Sequence, residues 1–402
     1  MLIAAHPDDE SLACSVVLQH AVCAGAAIRV IYATDGENNP WPQRVLECKW
    51  RLNGTDRERW GKLRRAEALA ALDVLGVGAS RASFLALADQ KLTELLMSGC
   101  RVTLKLLAAI VADWAPTDLL VPSISDTHPD HSALAVMLRL VWSEYLSAKG
   151  AMSAWSYVVH GRSSAFFDRA ETIRQTTVEI AAKLRAISCH KTQLKLSRKR
   201  FFDHAGRSER LIKLNARETI DADGSISSIS RRPRSLSIIL QRSLRPMCPR
   251  KPALFILGHD EVGALRCARM QVPLRSSRVE IFDQANDEQF AVGRYSGDAF
   301  AGELAIPVGI FSPVHALFVK LERRGWFFDE AGWLELPAAV EAVQRRTGPD
   351  ERVLGGVVCE LPVARDGIGR SPDARPVPVE DRPQLHLHYR NTRRRRAPIP
   401  VP

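Results

Sequence analysis

The chain has 402 residues, 46% of them hydrophobic and 25% charged, ordinary globular composition with enough length for two domains. Its net charge of +11 raises nucleic acid or an anionic surface as a partner, but residues 194–251 alone hold 15 Lys/Arg against 5 Asp/Glu. The basicity thus belongs to that segment and to the Arg393–Arg396 run, read as solvated linker and tail, which disfavours nucleic acid.

Taken in chain order, the first half alternates strand-like and helix-like stretches. Leu2–Ala5 is a short apolar run, followed by a helical stretch from Ser11 to Ala24, and IRVIYA (28–33) is a second β-rich run ending in TDGE. A polar, Trp-containing loop (38–57) precedes a helix over Leu63–Leu75, stopped by Gly76; its length suits a lid that selects substrate. A strand is expected at Ala82–Leu87, a helix at Val102–Trp114, a strand at Leu119–Val121, a helix at Ser132–Ser147, a strand at Trp155–His160 and a helix at Thr172–Ile187. This alternation predicts an α/β domain over residues 1–220, a Rossmann-like, mostly parallel sheet with helices on both faces.

Residues 221–250, beginning DADGSISSISRRPRS, read as a basic Ser/Arg-rich linker. Short β-like runs then recur at 279–282, 289–295, 303–311, 315–321 and 325–336, with DEAG as a hairpin turn in the last, so 251–347 is expected to be a smaller β-rich domain of unknown role. Residues 348–402 are Pro/Arg-rich without apolar periodicity and read as a disordered tail. Eight scattered cysteines with no CxxC pair suit a reducing compartment, the start lacks the basic region of a secretory signal, and no apolar run approaches ~20 residues. The expected location is the cytoplasm, with no membrane span.

Two clusters carry chemistry, each after a strand-like run: His6-Pro7-Asp8-Asp9-Glu10 and Asp126-Thr127-His128-Pro129-Asp130-His131. A catalytic metal needs three N/O ligands and an open position, and loops from two neighbouring parallel strands would bring these clusters together. Histidine and carboxylate suit Zn²⁺, and Fe²⁺ or Co²⁺ equally. Either cluster alone also reads as a turn with a capped helix start; it is the pair that points to a metal site.

AHPDDE, TDGE and HPDH in this order resemble the LmbE-like (PIG-L-type) N-acetylglucosamine deacetylase family. So do the pattern Arg64, Glu67, Ala71, Leu75-Gly76-Val77, then Asp89 in LADQKL, and Lys183 to Gln193, covering about residues 1–200. The resemblance implies His6, Asp9 and His131 as zinc ligands and Asp8 as the base that takes a proton from the attacking water. It implies His128 as donor to the oxyanion or departing amine, oriented and made more basic by Asp130, and Arg64 and Asp89 as contacts to sugar hydroxyls. Glu10 is expected to support the shell, and His160 matches a histidine found in relatives or sits in the core. Ala13-Cys14-Ser15 stand where the family has small residues, commonly glycine.

The expected function is therefore a zinc-dependent hydrolase removing an N-acyl group, acetyl in the first instance, from an amino sugar or glycoconjugate. One alternative keeps the fold and acts on another amide or glycan bond. A second is a non-catalytic protein that binds nucleic acid or an anionic surface through the basic linker.

Overall fold

Strand β1 (Leu2–Ala4) is buried on both sides, as the middle of a parallel sheet requires: Leu2 and Ala4 face one helical layer, Ile3 and Ala5 the other. The computed structural model describes residues 1–143, 152–161, 168–214, 224–232, 235–241, 252–325 and 327–339. β1 pairs in parallel with β2 (Val30–Thr34) and β4 (Asp118–Pro122). β3 (Ala82–Leu87) extends the sheet beyond β2, and β5 (Ser153–Tyr157) beyond β4, again in parallel. The order is completed by β6 (Glu171–Thr172) and β7 (Arg210–Lys213), giving 3-2-1-4-5-7-6 with β7 antiparallel to both neighbours. The chain leaves β1 toward β2 and returns at β4 on the opposite side, so the loops after β1 and β4 open a crevice at the sheet's switch point.

Helices α1 (Asp9–Ala13), α2 (Ser15–Cys23), α3 (Pro40–Glu47) and α4 (Gly54–Val74) precede β3. Then come α5 (Leu92–Met97), α6 (Arg101–Trp114), α7 (Pro129–Val141), α8 (Thr177–Cys189) and α9 (Lys191–Ala205). Apolar residues of α5, α6 and α7 cover one face of the sheet; those of α1, α2, α4, α8 and α9 cover the other. The expected helix at 11–24 is two helices broken at Cys14, and the expected helix at 63–75 begins at Gly54. That earlier start is set by a reciprocal capping box between Asn53 and Asp56. The loop at 38–57 contains α3, which starts on Pro40. Residues 144–147 of the expected 132–147 helix lie outside the described residues.

The expected linker at 221–250 is corrected over its described residues. Ile226–Arg231 (β8) and Ser235–Gln241 (β9) are strands, because β8 is the end strand of the second sheet and needs few apolar side chains. They join β10 (Ala253–His259), β11 (Leu265–Gln271), β12 (Ser277–Asp283), β13 (Gln289–Gly297), β14 (Ala301–Pro307) and β15 (Leu317–Glu322). β16 (Arg324–Gly325) and β17 (Phe328–Asp329) form a separate two-stranded ribbon, and β18 (Leu334–Leu336) returns to the large sheet beside β15. DEAG is thus a connection between β17 and β18, not a hairpin turn. The large sheet is antiparallel throughout its nine strands.

β10 is buried at every position, as its apolar run Ala253–Leu257 requires. Leu254 and Ile256 fill the core of the antiparallel sheet; Phe255 and Leu257 belong to the same cluster as α5, α6 and α7. The two sheets therefore share a core through one face of the second. Among the described residues no helix is long and apolar enough to cross a membrane, and six cysteines are free thiols. The expected disordered tail at 348–402 lies outside the described residues.

Candidate active site

The loop after β1 turns sharply. Asp8 has φ 145°, a conformation that costs a non-glycine residue about 1–3 kcal/mol. Three hydrogen bonds hold the turn: the Asp8 N–H donates to Glu10 Oε2 (3.0 Å), and Arg64 Nη2 donates to Pro7 O (2.7 Å) and to Asp8 Oδ2 (2.9 Å). Arg64 also donates to Gly36 O at 2.7 Å, and its guanidinium sits where a Cβ on Gly36 would lie, 1.7 Å from Nη1. This explains the glycine of TDGE. Glu10 in turn accepts from Ser11 Oγ (2.7 Å) and pairs with His190 (2.9 Å).

Asp9, next along the turn, accepts the N–H groups of Ala5 (2.9 Å) and His6 (3.0 Å) on Oδ2. Its Oδ1 is buried without a hydrogen-bond partner and lies 3.4 Å from His131 Nε2. His6 Nδ1 approaches the same nitrogen at 3.0 Å. Each ring is held from behind by a carboxylate, His6 Nε2 by Asp89 Oδ1 (3.1 Å) and His131 Nδ1 by Asp126 Oδ2 (3.1 Å). Carboxylate partners keep the proton on the far nitrogens, leaving lone pairs from His6 and His131 beside the unpartnered oxygen of Asp9. All three side chains are buried, so such a cluster requires a proton or a metal ion between them. The donor set fits a divalent cation such as Zn²⁺, with Fe²⁺ and Co²⁺ taking the same ligands.

Nitrogens of His6, His128 and His131 lie within 4.8 Å of one another, as do ligand atoms of His6, Asp89 and Asp130. We weight Asp9 above Asp89 and Asp130 as the oxygen ligand, because only Asp9 has a buried oxygen without a hydrogen-bond partner. Both oxygens of Asp89 are engaged, the second by the Asn38 N–H at 2.8 Å. Burial alone works against a charged His6, but hydrogen bonds to Asp130 and Asp89 raise its pKa well above the ordinary value. His131 is raised likewise, Asp9 and Asp126 outweighing burial.

The loop after β4 is organised by Asp126. Its Oδ2 accepts from the N–H groups of Val159 (2.9 Å) and His160 (3.0 Å) besides holding His131, and its Oδ1 accepts from the His128 N–H (2.8 Å). His128 caps α7, its Nδ1 accepting the Asp130 N–H at 3.2 Å. Here the expectation for Asp130 is corrected. Its carboxylate accepts the N–H groups of Gln90 (2.6 Å) and Leu92 (3.2 Å) at the start of α5, which have no intrahelical partners. Only its backbone meets His128. Burial, and after it the neighbouring His6 and His131, push the His128 pKa well down, so this histidine is neutral, and with Nδ1 accepting a hydrogen bond its proton sits on Nε2.

A cavity of about 430 Å³ opens over these groups, lined by Asp8, His128, Asp89 and Arg64 and also by Trp41 and Phe328. Burial raises the Asp8 pKa to about 6 although Arg64 pulls it down. Arg64 and Asp89, expected to meet sugar hydroxyls, line the cavity but direct their bonded atoms to Asp8 and His6. His160 also lines it, with its Nδ1 2.7 Å from Arg200 Nη2. Sequence reasoning assigned no role to Asp126, Arg200 or Phe328. Asp126 stood inside the quoted DTHPDH and its five-residue spacing to His131 was a usable signal; Arg200 and Phe328 had none.

Residues 1–142 match the family profile described as PIG-L: GlcNAc-PI de-N-acetylase, so this part of the chain is a PIG-L family domain, as its motifs indicated. A 1D-myo-inositol 2-acetamido-2-deoxy-alpha-D-glucopyranoside deacetylase of Mycobacterium avium (strain 104) is 39% identical over 79 residues, 19% of this chain and 25% of that protein. The protein of the same name from Mycobacterium tuberculosis (strain ATCC 25177 / H37Ra) is 31% identical over 144 residues, 33% of this chain and 46% of the other. The matched segment thus spans a quarter to about half the length of these curated relatives. Among solved structures, N,N'-diacetylchitobiose deacetylase from Pyrococcus horikoshii aligns over 53% of this chain and 82% of its own, with 18% identity and a TM-score of 0.41. GalB, the 4-carboxy-2-hydroxymuconate hydratase from Pseudomonas putida KT2440, aligns over 55% and 97%, with 19% identity and a TM-score of 0.42.

Proposed function

We propose that the chain is a divalent-metal-dependent hydrolase, zinc in the first instance, that removes an N-acyl group, acetyl first, from an amino sugar or glycoconjugate. The observation that carries this reading is the buried convergence of His6, His131 and the unpartnered Asp9 oxygen beneath a cavity that also contains Asp8 and His128. The PIG-L domain match, and relatives named as deacetylases of an acetamido sugar, support the choice of bond.

His6, Asp9 and His131 would hold the metal, with Asp89 and Asp126 fixing the two imidazoles from behind. When bound, such a cation polarises an amide carbonyl and brings the pKa of water toward 7. Asp8, with a pKa near 6, is ionised at neutral pH and basic enough to accept the proton of the attacking water. Arg64 keeps its Oδ2 in place and prevents the strained turn from relaxing. His128 offers its Nε2–H to the carbonyl oxygen as charge develops there, or to the departing amine. An amide nitrogen leaves only when protonated, and the proton gathered by Asp8 is available for it.

Metal analysis of the purified protein, with acetate release from a panel of N-acetyl amino sugars and glycoconjugates, tests the proposal. It predicts close to one divalent ion per chain and acetate as product, both sensitive to a chelator. A folded protein without bound metal, or acetate release that persists in Asp8→Asn, would refute it. Release of another product from the panel would move the reading to a different amide or glycan bond.

A further inference from the structure

The second domain reaches the cavity through a short segment bolted to the loop after β4. The Asp329 N–H donates to Thr127 O (2.9 Å), and the Trp333 N–H to Ile124 O (2.7 Å), on either side of Asp126. Gly332 lies so close to this loop that a Cβ would come within 1.9 Å of Ile124 O. Trp333 is fully buried in the cluster that includes Ile124, Leu134 and Leu138. On the side of the antiparallel sheet, Asp329 is held by Lys320 at 2.5 Å, with both side chains at most 2% exposed. Two further ion pairs, Arg323–Glu330 (3.0 Å) and Arg139–Glu335 (2.6 Å), fasten the segment beyond this point.

Phe328 stands immediately before these anchors, paired in the two-stranded ribbon with Gly325. Its ring centroid is 5.7 Å from that of His128 in an edge-to-face arrangement, and 5.1 Å from that of His160. The Arg200 guanidinium lies over the same ring at 4.9 Å while contacting His160. Phe327 and Phe328 line the cavity together. The anchors are backbone bonds and a closely packed glycine against the loop after β4, and a buried ion pair to β15, so the ring's place is fixed by how the segment is docked between the two.

We propose that the second domain is an integral part of the active site: its anchored segment braces the loop carrying Asp126 and His128, and Phe328 walls the space beside His128 and selects the substrate. The selection half rests on the reading of His128 as facing the scissile amide; the bracing half does not. A rigid ring beside that amide limits the bulk of whatever flanks it, the acyl chain or the amine-bearing ring and its aglycone. Phe328 is thus a specificity-determining residue and Gly332 a positioning residue.

The test uses the full chain. Acetate, propionate and butyrate release are measured for Phe328→Ala and the parent protein on substrates varied in acyl length and in aglycone. The expected result is a shift of at least tenfold in relative kcat/KM toward the bulkier members, carried mainly by KM. An unchanged order of substrates in a folded variant would overturn the selective role. If the parent releases no acid from any substrate, the hydrolase reading fails and the selective role fails with it. The brace is then judged separately by amide hydrogen exchange of Gly332→Ala. Exchange over residues 123–131 should accelerate at least tenfold while strands β10–β13 stay protected; equal protection in both regions would overturn the brace.

Discussion

The parallel sheet and the antiparallel sheet serve the same cavity by different means. In the parallel sheet, the donors proposed for the metal lie a few residues beyond the ends of β1 and β4, on loops adjacent because those strands pair. From the antiparallel domain the contribution is Phe327 and Phe328, delivered on a segment near the end of a long meander and held by Lys320 from a strand and by the backbone of a loop in the other domain. Crevice loops at a sheet's switch point can accept chemistry without altering the strands. A wall supplied by a second domain depends on that whole domain being folded and docked.

The largest expected effect breaks the first arrangement. Asp9→Ala and His131→Ala should each leave less than a tenth of the parent's bound metal by elemental analysis and abolish measurable acetate release. Asp8→Asn should retain metal while kcat falls by about 10²–10⁴, the range for loss of a positioned base. Asp126→Asn, which keeps the shape but weakens the hold on His131, should lower metal affinity by about 10–100-fold in competition with a chelator.

Lys320→Met addresses the second arrangement. It breaks the buried Lys320–Asp329 ion pair and should cost up to about 3–5 kcal/mol in denaturant unfolding, while leaving the residues proposed for the metal untouched. The smallest effects concern pH. Asp8 must be ionised to act, so kcat/KM should rise through about pH 6 on its acid limb, and an acid limb near pH 4 would displace Asp8 from the role. His204, whose pKa burial lowers to about 4, binds a proton more readily when unfolded. Its contribution to stability is complete above about pH 6.5 and is lost as pH falls toward 4, so the apparent unfolding midpoint should decline across that window; His204→Gln should flatten the decline.

The signals that could be read from the sequence were local ones. AHPDDE and HPDH each compress a strand end, a turn and a helix start into a few residues, and the strand before each announces which edge of a sheet they share. Asp89 and Arg64 stand out in the sequence as residues, but their partners within the protein do not, because what they touch is 28 to 83 positions away. Helix α9 was hidden in a stretch read for its charge, and β8 and β9 in one read for its serine and arginine. Both strands pair with partners whose position no local pattern announces.

The sequence by itself determined that two His/Asp clusters follow strands of a parallel sheet, because strand periodicity and turn chemistry act over a few residues. The tertiary structure alone decided which carboxylate stands behind which imidazole: Asp126 behind His131, Asp89 behind His6, and Asp130 turned to the start of α5. It also decided that a phenylalanine 200 residues beyond His128 lines the cavity beside it. The physical reason is the same in each case. A buried carboxylate goes to whichever donor packing leaves unpaired, and a buried ring to whichever surface its own sheet is docked against; neither is written in the residues beside it.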